Sequence, residues 1–148
     1  AGIADELNYV KVDKYTLQST EYPNIWALGD AANIPASKAG AVIHFQMETA
    51  FKNIRAHMQG KPMPDAFDGH ALCYIETGFN KATLIDFDYT HEPYPGTYPL
   101  PVVGPFALLG QTLPNHWGKL AFRYMYFMMM HGIEIPLPNK FSMVGKRV

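Results

Sequence analysis

Thr16-Leu-Gln-Ser-Thr-Glu-Tyr-Pro-Asn-Ile-Trp-Ala-Leu-Gly-Asp-Ala-Ala-Asn33 decides how this chain is read. An apolar segment, Ile25 to Leu28, runs directly into Gly29-Asp30, and the small residues Ala31 and Ala32 follow. The pattern predicts a buried strand that delivers a carboxylate to its carboxyl end, with a helix start close behind. A glycine at position 29 lets the backbone approach a ligand that a side chain would block. Asp30 can accept hydrogen bonds from sugar-like hydroxyls, while the N–H groups of a helix start can face an anion or a ring carbonyl. The plainer alternative is a strand-end carboxylate that caps the next turn.

Working outward, the 148 residues have room for one domain, or a domain plus a remnant. The 48% apolar content is ample for a core, and a net charge of −1 argues against a nucleic-acid surface. No apolar run reaches the ~18 residues that a membrane span requires. The first residues, Ala1-Gly-Ile-Ala-Asp-Glu, lack the basic and apolar regions of a signal peptide. One cysteine excludes an internal disulfide.

Val10 to Leu17 alternates apolar and polar residues and predicts a strand. Ser37 is a candidate cap for a helix that runs from about Ala41 to Gly60. Met47, Phe51, Ile54 and Met58 are expected on its buried face. The breaker-rich Lys61-Pro-Met-Pro-Asp65 suggests a boundary, giving segments 1–60 and 61–148. Ala71–Thr77 and Ala82–Tyr89 predict a β-hairpin around Gly78-Phe-Asn-Lys81. Residues 92–114, with six prolines and three glycines, predict mostly loop, and Pro114 opens a last helix to about His131. The expected class is therefore α+β.

The Thr16–Asn33 stretch resembles the second flavin-binding motif of two-dinucleotide-domain flavoproteins, an α/β architecture whose first fingerprint, G-x-G-x-x-G, is missing here. The resemblance narrows toward sulfide:quinone oxidoreductases through Pro35-Ala-Ser-Lys38, Cys73 and the last helix. It implies the end of an FAD-binding domain followed by a carboxyl-terminal domain with a β-hairpin and an amphipathic helix. Gly29, Asp30 and Ala31 would then contact FAD, with Asp30 on its ribityl chain. Lys38 would stabilise negative charge on the flavin ring. Cys73 would relay sulfur through a bridge to a second cysteine not found in these residues. Without the family context, Lys38 reads as a solvated lysine and Cys73 as a buried, inert thiol.

In Asn115–His131, His116, Lys119 and Arg123 form one polar stripe, and nearly everything else is apolar. Such a helix is either buried or lies in a membrane interface. The resemblance implies peripheral membrane attachment through residues 114–131, with Phe122, Tyr124 and Phe127 at a quinone mouth. Sulfide and quinone would be the substrates. A C-terminal piece alone is expected to be inactive, to retain no FAD and to self-associate. Two rival readings stay open: a type II NADH:quinone dehydrogenase, and a non-catalytic module that binds a membrane or a partner. The six histidines, at 44, 57, 70, 91, 116 and 131, have no metal-ligand spacing, so no metal is expected. Glu76, Asp86 and Asp88, beside the hairpin, read as solvated charges.

Overall fold

The computed structural model describes residues 2–100 and 102–133. The chain divides into two compact units, Ala1–Ala71 and Leu72–Val148.

In the first unit, β1 (Val10–Lys11) pairs in parallel with β2 (Ala32–Asn33), Val10 opposite Ala32. The strand expected over 10–17 ends early because Asp13 turns the chain. Its Oδ1 accepts the amides of Tyr15 at 3.0 Å and Thr16 at 2.8 Å, an Asx turn that competes with a ladder. Ile25–Leu28 is likewise extended without being a regular strand. It folds back on 17–19 through the Gln18–Trp26 bridge and the Ala27 amide on the Leu17 carbonyl at 3.2 Å. The helix expected right after Asp30 does not begin there. Gly29–Ala31 is a single 3₁₀ turn, and Ala32 returns to extended backbone.

The helix α1 spans Gly40–Met58. Its amino end is Ala39, with no side-chain cap, so Ser37 does not cap it. At the carboxyl end Gly60 takes φ +66°, the Gly60 amide reaches the His57 carbonyl and the Lys61 amide reaches that of Ala56. These two bonds form the left-handed glycine stop foreseen near Gly60.

The orientation of α1 departs from expectation. Met47, Phe51 and Met58 are exposed, while Val42, Gln46, Thr49, Ala50, Asn53 and Ala56 are buried. The inward polar side chains serve loop backbone that has no ladder of its own. Asn53, fully buried, donates to the carbonyls of Thr16 (3.2 Å) and Asp65 (3.0 Å) and accepts the Asp65 amide (3.1 Å). Buried peptide groups need such partners, and an apolar face cannot supply them.

In the second unit, β3 (Ala71–Gly78) and β4 (Lys81–Phe87) form the expected hairpin. Phe79 and Asn80, both at positive φ, make its two-residue turn, the backbone sense that matches strand twist. The proline-rich stretch adds two short strands, β5 (Gly96–Tyr98) and β6 (Phe106–Leu108), completing a sheet of order β3-β4-β6-β5. β6 runs parallel to β4, Leu84 opposite Leu108, and antiparallel to β5. The helix α2 (Leu113–Met130) packs against β4 and β6. Leu84, Tyr94 and Leu108 form the core, with Leu72, Tyr74, Tyr98 and Phe106 against it.

Candidate functional site

The first candidate site is the Gly29–Ala31 turn. Gly29 sits at φ +60°, where a Cβ would lie 2.9 Å from Ile43 Cδ1 on α1. Its amide donates to Gln46 Oε1 at 2.6 Å. Asp30 and Ala31 are exposed at the tip. Lys38 is drawn back onto the same turn: its ammonium donates to the carbonyls of Ala32 at 2.8 Å and Gly29 at 3.4 Å, and lies 4.4 Å from the Tyr9 ring centre. Gly29, Asp30, Ala31 and Lys38 thus come together in space. The turn presents the Asp30 carboxylate outward as a hydrogen-bond acceptor, while Gly29 itself is buried against Ile43 with both its amide and its carbonyl engaged. Gln46 escaped the sequence reading. The signal was Gln46, Thr49 and Asn53 at i, i+3 and i+7, a polar stripe that reads as solvent-facing when taken without the loops it serves.

The second unit separates its candidates. Tyr74 packs on the core and reaches Gly118 of α2. Alternation along a strand therefore sets half-buried Cys73, with Ile75, on the sheet face away from α2. On α2, Tyr124 and Phe127 join Leu113, Trp117 and Leu120 in one exposed apolar stripe. Phe122 is half-buried with its ring 6.4 Å from that of Tyr126. The three candidate quinone residues therefore do not share one face. Burial pushes the Tyr74 phenol up to about 12, with the neighbouring Tyr98 adding to it, so Tyr74 stays neutral beneath the helix. Glu76 joins β3 to α2 by accepting from His116 Nδ1 at 3.0 Å, with Lys119 Nζ at 3.5 Å. The His116 hydrogen bond holds the Glu76 carboxyl below its ordinary range.

Asp88, read as a solvated charge, instead organises the turn after β4. Its Oδ1 accepts the amides of Thr90 (2.7 Å) and His91 (2.9 Å) and the Thr90 hydroxyl (2.8 Å), and His91 Nδ1 lies 2.8 Å from both oxygens. Burial opposes its ionisation. The donors from Thr90 and His91, with the His91 charge, outweigh that and hold the carboxyl at about 2. A folded value below the ordinary 3.8 stabilises the fold above about pH 4, and that contribution fades as pH falls toward 2. Asp88→Ala is expected to lose about 1–2 kcal/mol at neutral pH, after discounting for screening. In urea melts, the gap to the parent should close as the pH is lowered through that range. A gap that does not change with pH would contradict the assignment.

Among the described residues no three His, Cys, Asp or Glu side chains are grouped to hold a metal ion, and no helix is long and apolar enough to cross a membrane.

No family model matches the chain. It is similar to mitochondrial sulfide:quinone oxidoreductases of Mus musculus (32% identity, over 81% of this chain and 29% of that protein) and Schizosaccharomyces pombe (33%, over 86% and 28%). The counterpart from Dictyostelium discoideum is 39% identical over 57% of this chain and 19% of its own length. The chain thus spans less than a third of the length of these relatives. Among solved structures, one chain of the Tetrahymena thermophila mitochondrial ATP synthase F1Fo tetramer superposes with a TM-score of 0.72 at 25% identity, over 93% of this chain and 32% of that one.

Proposed function

We propose that this chain, which is sulfide:quinone-oxidoreductase-like over most of its length, is the carboxyl-terminal part of a flavoprotein that oxidises sulfide and reduces quinone. The observation that carries this reading is the 32–33% identity to two such enzymes over 81–86% of the chain. FAD, when bound, supplies the two-electron acceptor. Asp30, exposed at the tip of the turn, would accept hydrogen bonds from the ribityl hydroxyls of FAD, and glycine at 29 lets the turn pack closely against Ile43. Lys38 contributes positive charge beside the turn. At Cys73, hydrosulfide attacks a sulfur bridged to the cysteine, so one S–S bond forms as another breaks and a thiolate leaves. Exposed Tyr124 and Phe127, with Phe122 behind them, offer apolar contact to a quinone ring. The stripe from Leu113 to Phe127 lies in the membrane interface as a peripheral anchor.

The test is reduction of decylubiquinone by sulfide, followed in the ultraviolet, with the native protein purified together with whatever flavin it holds. Flavin-free protein, or turnover no faster than sulfide and quinone alone, would sink the reading.

The similarity to a chain of a mitochondrial ATP synthase favours a second reading, a non-catalytic module held in a membrane assembly. Migration of the native protein in a large complex on native gels, with no sulfide oxidation, is its expected signature.

A further inference from the structure

Gly29 is gripped at both ends of its peptide environment, and the two grips come from different places in the sequence. On the amide side, Gln46 is 1% exposed, and its Oε1 accepts the Gly29 N–H at 2.6 Å. On the carbonyl side, Lys38 Nζ reaches Gly29 O at 3.4 Å and Ala32 O at 2.8 Å, closing the turn from beyond its last residue. Ile43, one helical turn before Gln46, fills the space a Cβ at position 29 would need. A three-residue turn cannot satisfy its own peptide groups, so an isolated Gly-Asp-Ala segment would sample many conformations.

We propose that Gln46 and Lys38 are positioning residues that lock the Gly29–Ala31 turn and so fix the direction in which the Asp30 carboxylate projects. This deepens the reading of Asp30 as a ligand-facing group and rests on it for its functional meaning. In this assignment Lys38 acts on the ligand through the turn. Its donors are directed at carbonyls, and its charge also offsets the partial negative charge gathered where those carbonyls converge. Gln46 supplies a neutral acceptor where a carboxylate would bring a buried charge.

Amide hydrogen exchange of the 148-residue chain, read at Gly29 by NMR, tests the lock. Gln46→Leu keeps the side-chain bulk but removes the acceptor, and is expected to speed Gly29 exchange on the order of tenfold. Lys38 is exposed, so Lys38→Met should leave the fold intact and still speed Gly29 exchange, while Lys38→Arg should bring it back. α1 amides away from the turn should be unchanged in the Lys38 pair. Gly29 exchange that is the same in Lys38→Met as in the parent, or that Lys38→Arg fails to restore, overturns the assignment even if Gln46→Leu does not fold. FAD titration of the native protein by fluorescence is a separate arm. Absence of binding there defeats the reading of Asp30 and leaves the lock to be decided by exchange.

Discussion

Gly118→Val is expected to destabilise the second unit by about 3 kcal/mol or more and to lift α2 from the sheet. A Cβ at position 118 would lie 2.7 Å from Phe106 Cε1 and 2.8 Å from Tyr74 Oη. Both rings belong to the packed layer that joins sheet and helix, Tyr74 through β3 and Phe106 through β6. Alanine at this position separates two effects. It should gain up to about 1 kcal/mol of helix propensity, against about 1–3 kcal/mol for forcing an extra carbon into a filled contact. Gly118→Ala should therefore be mildly destabilising. Valine has no comparable gain and adds two methyls on a stiff β-branched side chain. Urea unfolding followed by circular dichroism measures both. A valine variant with the parent's midpoint would show that α2 does not rest on Phe106 and Tyr74 as described.

The contact at Gly118 also illustrates which features the sequence made legible. The hairpin was readable because its turn chemistry and its two apolar runs are local, and β3 and β4 fall where expected. The bounds of α2 were readable for the same reason, from a long apolar run opened by a proline. Strands β5 and β6 were not, because each is three residues long, β6 depends on β4 far off in sequence, and β5 in turn pairs with β6. The face of α1 was misread because hydrophobicity was weighed without the loops. Gln46 and Asn53 turn inward because Gly29, Thr16 and Asp65 carry peptide groups that need them. At the candidate site the Gly29-Asp30 signature was legible as a motif, whereas its support from Gln46 depended on helix rotation. Lys38 was legible only as a candidate for flavin-ring electrostatics, and no spacing rule says that its donors go to the carbonyls of Gly29 and Ala32.

Cys73→Ser is expected to lower sulfide-dependent quinone reduction by the native protein on the order of a hundredfold or more, if the cysteine carries the sulfur relay. Serine is nearly the same size, and position 73 is half-buried on β3, so the fold should lose less than about 1 kcal/mol. Chemistry, in contrast, should be lost outright. A hydroxyl is essentially un-ionised at neutral pH and forms no bond to sulfur that another thiolate can exchange. The location of Cys73 sharpens the expectation. It stands on the sheet face opposite α2, so the variant should leave binding to anionic vesicles unchanged, because that binding is assigned to the Leu113, Trp117, Leu120, Tyr124 and Phe127 stripe. Loss of sulfide turnover with vesicle binding intact separates the relay from a general collapse of the unit. NADH offered in place of sulfide completes the comparison. A type II NADH dehydrogenase would reduce quinone equally well with serine at this position. Sulfide oxidation that continues at the parent rate in Cys73→Ser would remove the relay from Cys73, and the proposed reaction would then have to proceed through residues outside this chain.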